Sequence, residues 1–352
     1  MNTIKVMYAT TFSIENLFEM PSDFSYYLKE ISEDNRFDVC LLNPNDFKGG
    51  IFKRTLRMAK FIRTIKPDIL YLTLWQGYNN LVLAKLFRLI NCKIVIWDYT
   101  RCMGQNNFFL RFFFRNFFYN QIDRIYMMFE NHTKSAIEKG MVNESQIITL
   151  SRGVDIKWYS QFVNENKTTE FSIIATGKDH RDYLTLGKAC EETRTKCLII
   201  TAPHKKCIEV AKLFEQSEYV RFEIMENAYS LSPRRYILEQ VAKASALAIC
   251  CEQLPYGAGY TNIVECLAFK IPILQTKNPD VHIDPEIEGI GYNIQPYDVE
   301  GWKEKLNLIK TEKIRIDMSE KIQLMLNGEY NSKTTTEFIK NDFIRITKKY
   351  LK

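Results

Sequence analysis

The sequence is short of what a metalloprotein, a disulfide scaffold or a membrane span would require. Its nine cysteines include no Cys-x-x-Cys pair, and Cys40, Cys197, Cys250 and Cys251 sit in apolar, strand-like runs. Such runs normally bury free thiols, so a reducing cytoplasm is expected, and a zinc site or disulfide framework is not. No uninterrupted run of about 18 apolar residues occurs, which argues against a transmembrane helix. The segment MNTIKVMYAT passes directly into a strand pattern, so no signal peptide is expected. Short-period repeats and low-complexity tracts are absent, as is any cluster of Asp, His or Cys at metal-ligand spacing, and no metal is expected. A net charge of +6 is too mild for a nucleic-acid binder with a dense basic patch. It suits an anionic membrane surface or a phosphorylated substrate.

What is present is a globular pattern, 46% hydrophobic and 26% charged, over 352 residues, a length that calls for two domains. Short apolar runs alternate with helical segments. The first set is Ile4–Ala9, Phe37–Leu42, Asp68–Thr73, Lys93–Trp97, Asp123–Met128 and Gln146–Leu150. The second is Phe171–Ala175, Cys197–Thr201, Val220–Ile224, Leu247–Cys251 and Ile271–Leu274. This spacing predicts an α/β fold of two Rossmann-like, doubly wound parallel sheets with a helical C-terminal tail. The polar stretch NENKTTE, Asn164–Glu170, is the expected linker. It gives a first domain over 1–165, a second over 166–330, and a last helix over 331–352 packing back on the first. The stretch TTFSIENLFEMPSD is expected as a loop, followed by a helix around Phe24–Ile31.

The chain is organised around Cys251–Thr276, CEQLPYGAGYTNIVECLAFKIPILQT, which reads strand end, glycine loop, helix, Pro, strand. Gly257 and Gly259 permit a tight turn, and Thr261 or Asn262 is the expected cap of a helix over Asn262–Phe269. A helix start behind a glycine loop offers N–H groups and partial positive charge to a phosphate. Glu265 lies about one turn further in. The plain alternative is an ordinary helix entry with a surface Glu.

Five segments, in order, resemble the GT-B glycosyltransferases, and most nearly the retaining family 4, the glycosyl transferases group 1. KPDILYLTL resembles the strand before that family's interdomain cleft. ITLSRGVDIKWYSQF is similar to the segment that ends its first domain. ATGKDHRDYLTLGKAC looks like the strand and loop opening the second domain, in a variant with Arg-Asp-Tyr. GYTNIVECLAFKIPIL resembles "G…EAMACGxPVI", and GYNIQPYDVEGWKEKL the segment that follows it. There are departures. Gly257 stands where the first Glu of the family's Glu-x7-Glu pair belongs. Thr10-Thr11-Phe12-Ser13 lacks the usual Gly pair, Trp97-Asp98-Tyr99 replaces a His, and the Arg…Lys pair appears as Lys178…Arg181.

The resemblance implies a transferase moving a hexose-type sugar, with retention, from a nucleotide diphosphate donor to a glycan or lipid-linked glycan. A UDP-sugar is expected ahead of a GDP-sugar, with no separate cofactor. Lys178 and Arg181 are candidate catalytic cations for the leaving diphosphate, against the alternative of solvated loop charges with Arg181 paired to Asp182. Asp98 is a candidate for an acceptor or sugar hydroxyl, or else a turn residue. Gly259, Tyr260, Thr261 and Asn262 would meet the diphosphate, and Glu265 the donor ribose. Arg234 and Arg235, at a helix start, read as solvated. In NNFFLRFFFRNFF a helix would group Arg111 with Arg115, opposite Phe109, Phe113 and Phe117. That is either a core helix or an interfacial one meeting anionic lipid on the inner face of the cell membrane. Two rivals remain: a nucleotide-sugar 2-epimerase of the same fold, and a non-catalytic sugar-nucleotide-binding subunit.

Overall fold

The computed structural model describes residues 3–10, 14–72, 79–163, 170–178, 180–226, 231–253, 257–278, 280–281 and 283–347. Thr11, Phe12, Ser13 and Tyr256 lie outside the described residues, as does the expected linker apart from Glu170. The contacts divide the chain into two compact units, 1–153 with 329–352, and 154–328.

In the first unit the order is β1 (Ile4–Ala9), α1 (Ile14–Glu19), α2 (Leu28–Ser32), β2 (Phe37–Leu42), α3 (Ile51–Ile65), β3 (Ile69–Leu72) and α4 (Asn79–Leu86). It continues through β4 (Lys93–Asp98), α5 (Phe108–Phe117), β5 (Arg124–Met127), α6 (Glu130–Glu138) and β6 (Ile147–Thr149). The six strands are parallel, in the order β2-β1-β3-β4-β5-β6. Parallel strands buried on both faces need apolar residues at nearly every position, which is how β3 and β5 are buried throughout. One face packs Met7, Leu70, Ile94 and Ile96 against Met58, Ile62, Leu81 and Phe118. The other carries an aromatic network in which Tyr71 meets Phe343 and Trp97 meets Tyr27 and Tyr126.

The second unit runs α7 (Ile156–Tyr159), β7 (Ser172–Gly177), α8 (Tyr183–Thr193), β8 (Lys196–Thr201), α9 (Lys205–Leu213), β9 (Val220–Ile224) and α10 (Leu231–Lys243). Then come β10 (Ala246–Ile249), α11 (Tyr260–Phe269), β11 (Ile273–Thr276), β12 (Gly291–Ile294), α12 (Val299–Ile309) and α13 (Glu312–Leu326). Its six parallel strands stand in the order β12-β11-β10-β7-β8-β9. The chain then returns to the first unit as α14 (Ser332–Thr347). There Asp342 accepts hydrogen bonds from Arg124 Nε at 2.8 Å and the Tyr126 hydroxyl at 2.9 Å. Among the described residues no helix is long and apolar enough to cross a membrane.

Four local expectations are corrected. Ile14–Glu19 is helical, not loop. The helix expected around Phe24–Ile31 starts only at Leu28, because Tyr26 and Tyr27 adopt left-handed φ of 51° and 65°. Helical geometry ends at such a residue, and the hydrogen bonds from Tyr71 Oη to Tyr26 O and from Tyr27 Oη to Gly153 O hold the bend. The second sheet gains a strand, β12, from the segment beginning GYNI. The division falls at 153 and not at 165, since Tyr159 packs edge-on against Phe269 in the second unit.

Candidate functional site

The second sheet changes winding direction between β7 and β10: β7, β8 and β9 run outward one way, and β10, β11 and β12 the other. The crevice beyond the carboxyl ends of two such strands is where open α/β sheets bind ligands. Here the loops leaving β7 and β10 are joined. Asp182 N donates to Cys250 O at 2.7 Å, Glu252 N donates to His180 O at 2.9 Å, and Arg181 bridges Cys251. His180 takes a left-handed φ of 53° to make this turn.

α11 begins at this crevice, and its start differs from the expected one. Gly259, with φ of 89°, is the N-cap, and no side chain caps the helix. A Cβ at Gly259 would stand 2.5 Å from Ile249 Cγ2, so only glycine brings the helix start this close to β10. Neither Thr261 nor Asn262 caps, because Asn262 is turned inward. Its Nδ2 donates to Thr176 Oγ1 at 2.6 Å and to Glu265 Oε2 at 2.9 Å, and its Oδ1 accepts from Arg181 Nη2 at 3.3 Å. α11 is buried along almost its whole length.

Glu265 is therefore not on an outer face: it is 0% exposed. Its Oε1 lies 2.5 Å from Arg234 Nη2, in an ion pair. Arg234, read from sequence as solvated, is drawn in by this carboxylate; its side chain is 15% exposed. Its partner lies on another helix, so no local motif announces the pair. A carboxylate taken out of water needs such a cation.

Lys178 is exposed on the loop after β7. Arg181 reaches Asn262, while Asp182 caps α8 by accepting from Thr185 N at 3.2 Å. On the loop's outer side, burial works to raise the Glu252 carboxyl, but hydrogen bonds from Lys206 and His180 outweigh it and hold it below its ordinary value. Burial pushes the Cys250 and Cys251 thiols up, which suits packing and not nucleophilic attack. Among the described residues no three His, Cys, Asp or Glu side chains gather as a metal set. What the cluster offers is two guanidinium groups against one buried carboxylate, beside a helix start. That is a net cationic setting suited to an anion.

In the first unit Asp98 is buried, and its Oδ1 accepts from Thr100 N at 2.8 Å and Thr100 Oγ1 at 2.9 Å. This is a turn role. None of the residues of α5 is fully buried: Phe114 packs, partly buried, against the first unit's core, while Phe108 and Phe109 are 67% and 80% exposed.

The chain matches no family model and no curated protein by sequence. Its fold is shared with solved structures along nearly its whole length. A glycosyltransferase from Rickettsia africae aligns with a TM-score of 0.71 at 12% identity, covering 98% of this chain and 99% of the other. HepE of Anabaena, solved with UDP and glucose, aligns at 0.66 and 11%, covering 96% and 99%. The UDP-GlcNAc 2-epimerase of Neisseria meningitidis, bound to UDP-GlcNAc, aligns at 0.62 and 8%, covering 98% and 100%. At these identities the likeness establishes the fold: two Rossmann-like sheets of the GT-B type.

Proposed function

We propose that the protein is a retaining, metal-independent glycosyltransferase that moves a hexose-type sugar from a nucleotide diphosphate donor to a glycan or lipid-linked glycan. The observation that carries this reading is the convergence of Arg181, Asn262, Glu265 and the start of α11 on the switch point of the second sheet. A UDP-sugar is the donor put first, in keeping with the UDP bound by HepE. In this reading Gly259, Tyr260, Thr261 and Asn262 meet the diphosphate, and Glu265 meets the ribose hydroxyls.

Lys178 and Arg181 are the catalytic cations. As the bond from the anomeric carbon to the diphosphate oxygen breaks, negative charge grows on the phosphate, and fixed cations stabilise it there. The acceptor hydroxyl attacks on the face the diphosphate leaves, and its proton passes to the departing phosphate oxygen, so the configuration is kept. Asp98 is assigned to an acceptor or sugar hydroxyl, in addition to its turn. The exposed aromatic and basic helix α5, within 107–119, is assigned to an anionic membrane surface, which would place the protein at the inner face of the cell membrane.

The test is transfer in excess EDTA, with the anomeric proton of the product read by NMR. Activity that survives, with the donor's configuration retained, supports the reading. Loss restored by Mn²⁺ or Mg²⁺, or an inverted product, overturns it. A 2-epimerase is the second reading, favoured by the length over which the Neisseria enzyme aligns. Release of an epimerised sugar with no acceptor present would select it.

A further inference from the structure

Positive charge is concentrated in one part of the chain. Between residues 48 and 122 the sequence has thirteen Lys and Arg but only two acids, Asp68 and Asp98. The chain as a whole carries +6, so everything outside this stretch is net acidic. The centre of the stretch is α3, IFKRTLRMAKFIRTI, which holds Lys53, Arg54, Arg57, Lys60 and Arg63 and no acidic residue. By contrast α13, also 15 residues long, mixes three acids with three bases. Mixed signs are what a solvated helix face normally shows. Among the described residues no acidic side chain pairs with any of the five α3 cations.

The same helix exposes apolar bulk. Ile51 and Phe52 are 65% and 79% exposed, and Leu56 is exposed as well, while Met58, Ala59 and Ile62 turn inward to the core. Beside α3 lies a groove of about 360 Å³. Leu56, Ala59 and Leu89 give it an apolar lining, and Lys60, Arg63 and Thr64 a polar one. A phosphate on the two cations and an alkyl chain on the two leucines match both kinds of lining. Arginine takes a phosphate through two parallel bonds, and lysine meets it as a point charge. α3 and α5 pack on the same face of the first sheet, through Met58 and Ile62 of one and Phe114 of the other, so their outer faces look the same way.

We propose that α3 is a docking helix whose partner is an anionic bilayer, and that the groove at Lys60 and Arg63 holds one anionic phospholipid. Ile51, Phe52 and Leu56 enter the headgroup layer, and the cations of α3 meet lipid phosphates. Charge selects this occupant: a bilayer offers anions and an apolar interior at one surface, and α3 presents cations interleaved with exposed apolar side chains. The proposal rests on the reading above, in which α5 meets such a surface, and goes beyond it. With five cations against the two of α5, α3 is the larger electrostatic anchor.

The experiment is co-sedimentation with phosphatidylcholine vesicles, with and without phosphatidylglycerol, beside melting curves that check the fold. Near an anionic surface each cation is worth about fivefold in partitioning. Lys53→Gln with Arg54→Gln should therefore lower partitioning by about thirtyfold, as should Arg111→Gln with Arg115→Gln on α5. Lys60→Gln with Arg63→Gln also empties the groove and should lower it by about a hundredfold or more. Phe52→Trp places a reporter on the helix, and brominated phospholipid should quench the emission it adds to that of the parent. A loss in the Lys60 and Arg63 pair no larger than in the Lys53 and Arg54 pair overturns the groove as a lipid site. Losses confined to the α5 pair, or added emission that brominated lipid leaves unquenched, overturn docking through α3 and leave the α5 reading standing. Losses confined to the α3 pairs overturn the α5 reading and support this one. A parent that sediments with neither kind of vesicle overturns both.

Discussion

The side chain of Arg181 lies across the backbone of Gly177: a Cβ on Gly177 would stand 2.5 Å from Arg181 Nε and 2.9 Å from its Cζ. The absent side chain at 177 is what lets the guanidinium lie flat at the end of β7 and reach Asn262. Gly177→Ala should therefore act at a distance on Arg181. The added methyl meets a movable side chain, so the fold survives with some strain from the φ of 155°. Donor binding should fall by about 10- to 150-fold, the range for losing a hydrogen bond to a charged group. Calorimetry with UDP, beside a melting curve, checks this. Unchanged affinity in Gly177→Ala would mean that Arg181 does not hold the diphosphate in the bound ground state.

Lys178→Ala and Arg181→Ala should each lower kcat more than they weaken donor binding. The charge these cations face grows as the glycosidic bond breaks, so their contribution is larger in the transition state than in the bound donor. Steady-state kinetics with a directly measured donor Kd separates the two effects. Equal losses in both would make these residues simple binding groups.

Much of the fold was legible because parallel strands buried on both faces leave continuous apolar runs, and every strand but the half-buried edge strand β12 could be traced from them. The glycine loop before α11 was legible too, since Gly259 is imposed by Ile249 behind it. Tertiary pairings were not. Asn262 has a strong intrinsic taste for a cap, yet a hydrogen bond to Thr176 on β7 is worth more to it here. Arg234 and Glu265 come from different helices, and the charge pattern of neither predicts the pair. Glu265→Ala, which on sequence grounds looks like a clean donor-site probe, would take away the carboxylate that Arg234 meets and leave a cavity in its place. Glu265→Gln is the better choice. The bend at Tyr26 and Tyr27 was hidden because tyrosine rarely adopts left-handed φ without tertiary support.

Asp123 anchors the first sheet through Lys85, Lys93 Nζ at 2.8 Å and Ile94 N at 2.9 Å. Burial works to raise its carboxyl, but the charges and hydrogen bonds of Lys85 and Lys93 prevail, so it sits below its ordinary value of 3.8. A carboxyl lowered by folding stabilises the fold above its unfolded value, and that contribution fades as pH falls through the folded one. Asp123→Asn should therefore cost about 1.5–3 kcal/mol near neutral pH. The gap between parent and variant should narrow once the pH falls below about 4. Urea unfolding across that range measures it, and a gap independent of pH would remove the ion pairs from the account.

α5 sets Phe108, Phe109, Phe112 and Phe113 in water, each more than half exposed, while Phe114 packs on the opposite side against the core. Contiguous apolar surface of this kind marks a contact with another phase or another molecule. Arg111 stacks over Phe108 with its guanidinium carbon 5.6 Å from the ring centre, so the cation sits beside the aromatic face. With Arg115 also on the helix, cations flanking an apolar face are the arrangement that holds an interfacial helix on anionic lipid. The protein should sediment with vesicles containing an anionic phospholipid and not with neutral ones, and salt should weaken the association. Arg111→Glu removes one cation and adds an anion. At about 1 kcal/mol per charge near such a surface, that lowers vesicle partitioning by about thirtyfold. Phe109→Ser with Phe113→Ser should lower it further and leave the salt dependence in place, since those rings contribute buried area and not charge. These substitutions touch no core residue, so the melting temperature should stay near that of the parent. A parent that ignores anionic vesicles would assign the aromatic face to a different partner, and self-association lost in Phe109→Ser would identify that partner as a second copy of the chain.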